Sequence, residues 1–282
     1  MTPESLYHYC SSESFVNIVA SRQLRLSTLA LGNDWMEGRL SFRALGQLLP
    51  RDSMKLSEHM RLIGVLANFE QMQLVYGLGF CLSAESDLLS QWRGYARDGS
   101  GVAIGFRRAY LENLVDANKD RVPLLSLCEV QYGDQAPLVE LRSRAEDLMK
   151  LIKQGALASD ERDNDSTTNS SVRSEFYKTL VSIKLDAYRF KSAAFREEHE
   201  YRLLATSRTE DLPASREYLQ YRAAGERILA YATLNIPETA DSPISEIVLG
   251  PKHVTPREVV EEFLELNGFN NVTVRQSSAS YR

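Results

Sequence analysis

Apolar positions along the chain change period several times, and each change marks an element. In LYHYC, residues 6–10, aromatic and aliphatic side chains suit a short strand, and in SSESFVNIVASR the spacing of Phe15, Ile18 and Val19 draws an apolar helical face behind a serine cap. Leu24 and Leu26 alternate with Arg25 and Ser27, the period of a half-buried strand. The stretch ALGNDWMEG, 30–38, gathers turn formers around a tryptophan and two acids and predicts a surface loop. Residues 39 to about 75 read as mainly helical, with Pro50 and Asp52 separating two helices. Residues 80–83 predict a short strand, SAESDLLSQWRGYA a capped helical turn bearing Trp92, Arg93 and Tyr95, RDGSG a tight turn and VAIGF, 102–106, a strong strand.

Another strand is expected over 124–132, followed by an amphipathic helix over 137–157. SDERDNDSTTNSS, 159–171, holds no apolar residue and predicts a mobile loop. Val172, Phe176, Leu180, Ile183, Ala187 and Phe190 then recur at helical spacing and predict a long helix from 172 to about 192. REYLQYRA and RILAYATLNIP, separated by AAGE, read as a hairpin, and ISEIVLGP as a strand. Thr255, Pro256 and Glu258 read as a capping box with proline at the first helical position. A buried face of Val259, Val260, Phe263 and Leu264 and a stop at Gly268 follow, and NVTVR closes as a strand. Strands are too numerous for a bundle and do not alternate regularly with helices. The class is therefore α+β: a split, largely antiparallel sheet with flanking helices, in one domain over 1–282 with a helical insertion around 39–75.

Composition narrows the function classes. The 282 residues are 43% hydrophobic, enough for a full core, and the net charge of -5 comes from 33 basic and 38 acidic side chains mixed along the chain, without the basic stripe that would mark nucleic-acid binding. Cys10, Cys81 and Cys128 are odd in number and form no CxxC pair, which predicts free, mostly buried thiols in a reducing cytoplasm. The opening MTPESLYHYC lacks the pattern of a signal peptide, and no stretch approaches the roughly 18 apolar residues of a membrane span. A cytoplasmic location without a membrane partner is expected. Gly99, Gly101 and Gly105 have the wrong spacing for a dinucleotide loop and precede a strand, so they read as a turn. His8, His59, His199 and His253 show no metal-ligand spacing, and no metal is expected.

The densest polar stretch is FREEHEYRLL, 195–204. As a strand it would place Glu198, Glu200 and Arg202 on one face and His199, Tyr201 and Leu203 on the other, with the two carboxylates about 7 Å apart, twice the strand rise. One reading is a solvated face whose charges pair with one another. The other is the wall of a cleft in which carboxylates stabilise a developing cation or activate a nucleophile. His8, Trp92 and Tyr95 admit the same two readings, packing or ligand contact.

The order of several short motifs resembles a bacterial family catalogued as the domain of unknown function numbered 2971. The residues are Leu6-Tyr7-His8-Tyr9 with Ser11-Ser12, Leu24 to Ser27, Asn33-Asp34 with Glu37-Gly38, Phe80 to Ser83, and Gln91 to Tyr95 followed by Gly101 to Phe106. Later come Phe195 with Glu198, Glu200, Tyr201 and Arg202, then Tyr221-Arg222, Tyr231, Leu249 to Pro251, Ser277, Tyr281 and Arg282. The Tyr-His-Tyr strand, the strand ending in Leu26-Ser27, the Cys-Leu-Ser strand and the glutamate-bearing strand are also similar to the layout of ADP-ribosyltransferases. That likeness implies NAD as substrate. His8 would hold the adenosine ribose, Ser83 or Tyr95 would line the nicotinamide side, and Glu200 or Glu198 would be the catalytic carboxylate. Arg25, Arg93 or Arg202 would meet the pyrophosphate, and Tyr9, Ser27 and Trp92 would complete the cofactor-binding set. It also implies a macromolecular acceptor, protein or nucleic acid, and a toxin or antiviral effector with a neutralising partner. The rival readings are an NAD hydrolase, a non-catalytic nucleotide- or partner-binding module, and a nuclease.

Overall fold

The computed structural model describes residues 2–29, 36–71, 75–122, 124–158, 166–208, 219–224, 226–237 and 242–281. Strand β1 (Ser5–Cys10) passes through helix α1 (Ser12–Ser21) to β2 (Gln23–Thr28); α2 (Leu40–Leu48) and α3 (Leu56–Gln71) precede β3 (Val75–Ser83). Next come α4 (Leu89–Tyr95), β4 (Val102–Arg107), α5 (Arg108–Asn118), β5 (Ser126–Glu129), β6 (Gln131–Tyr132), α6 (Gln135–Glu140), α7 (Arg142–Lys153) and α8 (Ser166–Asp186). The chain ends with β7 (Phe190–Lys191), β8 (Glu200–Arg208), β9 (Leu219–Ala224), β10 (Arg227–Asn235), β11 (Ile244–Leu249), α9 (Arg257–Leu266) and β12 (Thr273–Gln276). Among the described residues no helix is long and apolar enough to cross a membrane.

The main sheet runs β12-β11-β4-β1-β3-β2-β10-β9, with β8 against β3 and β5 against β8. Its pairs are antiparallel except β11 with β12. Strand β3 is the pivot. One edge pairs with β8 from Val75↔Arg208 to Ser83↔Glu200. The opposite edge is shared: β1 meets it at Tyr7↔Ser83, and β2 at Ser27↔Gly79 and Thr28↔Leu78. Because Ser83 and Gly79 each pair with β8 as well, β1 and β2 lie on the same side of β3 and must splay apart. The sheet is split over Phe80, Cys81 and Leu82.

One face of the sheet carries the principal core, where Phe15, Ile18 and Val19 of α1, Leu111, Leu114 and Val115 of α5, and Val260 and Leu264 of α9 pack on Leu6, Phe80, Ile104 and Ile247. On the other face Trp92 and Ala96 cover Tyr9, Ala103 and Val248. A second core joins α2, α3, α6, α7 and α8 into a helical lobe through Phe42, Leu45, Leu66, Leu148, Phe176 and Leu180. The lobe therefore extends well beyond the expected insertion at 39–75. Tyr188 ties it to the sheet by lying flat on β3; a Cβ at Gly77 would come within 2.5 Å of that ring. Only a glycine leaves room for the contact.

Several expectations are corrected. The helix expected over 172–192 starts at Ser166 and ends at Asp186. Ala187–Arg189 tightens into a 3-10 turn, and Phe190 and Lys191 pair with β6. Residues 166–171 of the polar tract are thus helical, while 159–165 lie outside the described residues, as do 30–35 of the expected surface loop. Leu141 divides the 137–157 helix, and Val130 divides the 124–132 strand. The expected capping box is not formed: Pro256 stands at the N-cap in an extended conformation (φ -56, ψ 142) with no side-chain cap, and Val259 is 51% exposed. The RDGSG turn stands, with Gly99 at φ +87 and Gly101 so close to the chain that a Cβ would meet the Cys10 carbonyl.

Candidate functional site

Where β1 and β2 diverge, β3 exposes a stretch of edge, and a side chain takes over the ladder. His8 of β1 stacks on Phe80 at 4.0 Å between centroids, and its Nδ1 lies 2.8 Å from the Cys81 carbonyl oxygen. A carbonyl only accepts, so Nδ1–H donates and Nε2 of the neutral ring is an acceptor. Burial lowers the imidazole to about 4 against the opposing pull of the Cys81 carbonyl, so the ring stays neutral at physiological pH. The split opens into a cavity of about 280 Å³, at the lower edge of the ~300–1,000 Å³ typical of ligand pockets. Asn17 and Ile18 of α1 bound it on one layer and Tyr95 of α4 on the other, with Arg25 and Ser27 of β2 and Arg222 of β9 at its rim. Arg222 Nη2 reaches toward Ser27 Oγ at 3.4 Å, and the Arg25 guanidinium lies 5.5 Å from the Tyr231 ring centroid.

A smaller cavity of about 70 Å³ adjoins the first, sharing His8, Cys81 and Tyr95 and adding Tyr9, Gln91, Glu198 and Glu200. The carboxylates arrive by an unforeseen route. Ala193–Glu198 is a 3-10 turn capped by Ser192, and His199 takes a left-handed conformation (φ 42) before β8 begins. A left-handed non-glycine residue is a local cost that the surroundings must hold in place. Here the Ala84 N–H donates to the His199 carbonyl at 2.9 Å, and the strain turns Glu198 toward the side occupied by Glu200. Both then clamp one cation: Lys191 Nζ donates to Glu198 Oε2 at 2.5 Å and to Glu200 Oε2 at 2.8 Å.

The two glutamates are not equivalent. Glu200 accepts from Arg202 Nε on Oε1 (2.7 Å) and from Arg202 Nη2 on Oε2 (3.0 Å) in addition to Lys191. Burial pushes its carboxyl up, but the Arg202 guanidinium and Lys191 ammonium outweigh that and hold it at about 2. Glu198 has Lys191 on Oε2 and the Tyr95 hydroxyl, which donates at 2.9 Å, on Oε1. Arg202 is 1% exposed and spent: besides Glu200 it donates to the Tyr188 carbonyl at 2.7 Å and ion-pairs with Glu37. Burial raises Glu37 against the pull of Arg202. Burial also opposes the charge on Lys191, yet Glu200, Tyr95 and the two hydrogen bonds raise it above an ordinary lysine.

A pH dependence follows. Because the folded value for Glu200, about 2, lies below its ordinary 4.5, its contribution to stability is fully present above pH 4.5 and is lost as pH falls toward 2. Urea midpoints measured between pH 6 and pH 3 are expected to fall for the wild type, and to fall less steeply for Glu200→Gln.

The candidates therefore divide. His8, Tyr9, Arg25, Ser27, Tyr95, Glu198 and Glu200 line the two adjoining cavities. Ser83 does not: at 1% exposure it donates to the Glu198 carbonyl (2.7 Å) and accepts from the Glu85 N–H (3.0 Å), bracing the turn. Trp92 is fully buried, its indole donating to Asp87 at 2.7 Å, so it is no stacking platform. Arg93 is exposed and faces the Tyr281 ring, and Arg202, buried among Glu200, Glu37 and the Tyr188 carbonyl, lines neither cavity and so cannot meet a pyrophosphate there. Reading the sequence as one strand missed Lys191, whose position at the end of a helical period concealed it. Glu37 and Arg222 were legible only as landmarks of the resemblance.

A family described as "Protein of unknown function (DUF2971)" has a model that matches residues 91–203 of this chain. The chain is similar to that family over a span holding α4, Lys191, Glu198, Glu200 and Arg202, whereas His8, Arg25 and Arg222 fall outside it. No curated protein and no solved structure matches the chain.

Proposed function

We propose that the split cleft binds NAD and that the chain is an ADP-ribosyltransferase-like enzyme, moving ADP-ribose to a macromolecular acceptor or to water. The observation that carries this reading is the polarity of the cleft. Arg25 and Arg222 line only the larger cavity, Glu198 and Glu200 only the smaller one, and the acceptor-bearing ring of His8 and the Tyr95 side chain lie where the two meet. Exposed guanidiniums suit a pyrophosphate, for which their planar donors are matched. His8 Nε2 would accept from a ribose hydroxyl.

At the acidic end the bond between ribose C1 and the nicotinamide nitrogen breaks, and its electron pair leaves with neutral nicotinamide. The ribose carbon then carries oxocarbenium character, which a fixed carboxylate stabilises more than it stabilises the ground state. Glu198, held by Lys191 and Tyr95, supplies that charge without having to reorganise. The acceptor hydroxyl or water bonds to the same carbon, and its proton passes to Glu198 or to solvent.

Nicotinamide release from NAD by the purified chain, with and without cell lysate, tests the reading, together with NAD calorimetry. Release that rises with lysate would mark a macromolecular acceptor. Arg222→Ala is expected to weaken NAD binding about tenfold, roughly the 1.4 kcal/mol of one charge-assisted contact. Neither binding nor release would leave the cleft as a recognition site for another ligand.

A further inference from the structure

We propose that residues 277–281 form a strap that sets the position of Tyr95 and with it the aperture of the cleft. Helix α4 is only seven residues long, too short to hold its own geometry in water. Its exit is strained as well: Arg97 (φ 51), Asp98 (φ 55) and Gly99 (φ 87) are three successive left-handed residues, two of them with side chains. Such a turn persists only where its neighbours over-determine it. The neighbours are the 250–252 segment, whose Gly250 and Lys252 N–H groups donate to the Gly101 and Gly99 carbonyls, and the strap.

Before the helix, Asp87 Oδ1 accepts from the Trp92 indole of α4 at 2.7 Å and from Ser277 Oγ at 2.5 Å. Its Oδ2 accepts from the Ser278 N–H at 2.7 Å and Oγ at 2.8 Å. After the helix, Asp98 Oδ1 accepts from the Tyr281 hydroxyl at 2.6 Å and Oδ2 from Lys252 at 2.8 Å. The Tyr281 ring carries the Lys252 ammonium at 4.0 Å and the Arg93 guanidinium at 5.9 Å. It also lies against Gly99, where an added Cβ would meet Pro251 at 3.1 Å and Tyr281 at 3.5 Å.

Both ends of α4 are thus held by one five-residue segment, and Tyr95, its last residue, is only two positions from the strained turn. Tyr95 walls both cavities and donates to Glu198. Tyr281 and Asp98 are positioning residues that act on the cleft through α4. The inference concerns the cleft wall and holds whatever ligand occupies it.

Cys81 provides the test, because it lines both cavities and burial of its thiol within the cleft raises it well above the ordinary value, so that labelling is slow until the cleft opens, while Cys10 is buried in the core. N-ethylmaleimide labelling of the full chain, with each thiol located by peptide mass spectrometry, reads the aperture without any nucleotide. Its failure is therefore distinct from failure of the ADP-ribosyl reading. Tyr281→Ala and the double variant Ser277→Ala/Ser278→Ala are each expected to speed Cys81 labelling about fivefold or more by local opening, with Cys10 protected as in the wild type. Tyr281→Phe, which keeps the ring and loses the hydroxyl, should fall between. Tyr95→Ala should speed labelling similarly, and adding Tyr281→Ala to it should bring no further increase, since the two act through one element. Unchanged Cys81 labelling, additive effects of Tyr95→Ala and Tyr281→Ala, or Cys10 labelling that rises in step with Cys81 would each overturn the proposal; the last would mark a general loss of stability.

Discussion

Replacing Lys191 with methionine is expected to destabilise the fold by about 3–5 kcal/mol at neutral pH, the cost of removing one partner from a buried ionic cluster. The side chain is 6% exposed and is the only cation that touches Glu198 among the hydrogen bonds and ion pairs of the described residues. Methionine keeps the length and fills the volume, so the loss reports charge and not a cavity. Glu200 retains Arg202 in the variant, whereas Glu198 retains only the Tyr95 hydroxyl. Two carboxylates that shared an ammonium then repel each other in a poorly hydrated site, and the pair takes up a proton on folding. The sign of the pH effect follows. The folded variant binds more protons than the unfolded chain over the range above the ordinary carboxylate value of 4.5, so its stability falls as pH rises there. Urea unfolding at pH 5 and pH 8 is expected to show a larger deficit relative to wild type at pH 8. An equal deficit at both would mean that the carboxylate pair takes up no proton in the variant, and that the loss reports pH-independent contacts of the ammonium such as the one 4.8 Å from the Phe195 ring centroid.

The second large effect separates the two glutamates. Glu198→Gln is expected to lower the rate of nicotinamide release by about 10²–10³, the scale of losing one preorganised electrostatic contact to a transition state, with NAD affinity close to that of wild type. Glutamine is isosteric and can still accept from Tyr95, so the change removes mainly the charge. Glu200→Gln behaves differently. Arg202 and Lys191 donate three bonds to the Glu200 side-chain oxygens, and Arg202 is buried at 1% exposure with Glu37 as its other carboxylate. Its principal expected effect is a lower unfolding midpoint, because a buried guanidinium loses its bidentate partner. Thermal unfolding beside steady-state kinetics distinguishes the roles. A full-rate Glu198→Gln enzyme beside an inactive but stable Glu200→Gln enzyme would reverse the assignment.

Much of the fold was legible along the chain. Alternation at Leu24 and Leu26, the apolar run of VAIGF and the helical recurrence of Phe176, Leu180 and Ile183 all lie in elements of the expected type. These patterns follow from repeats of about two and 3.6 residues, and a few neighbouring side chains reveal which face is buried. Boundaries were less legible where two elements share one period. Phe190 fits the helical recurrence but belongs to a strand, and its neighbour Lys191 was hidden for that reason. Helix α5 went unread, although Leu111, Leu114 and Val115 have helical spacing.

The sequence by itself determined the type of most elements, the α+β class and the concentration of charge in FREEHEYRLL. What only the tertiary structure decided is the use made of that charge. The split depends on β1 and β2 meeting the same edge of β3 at different heights, a matter of register between segments far apart in the chain. Local periodicity shows which face of each strand is buried, but not which distant strand lies beside it or at what height the two meet. The same long-range placement brought Lys191 between Glu198 and Glu200, spent Arg202 on Glu200, Glu37 and the Tyr188 carbonyl, buried Trp92 and set Arg222 at the rim beside Ser27. A charged side chain declares its chemistry in the sequence, but whether it faces a ligand or a neighbouring counter-ion depends on which distant strand lies beside it.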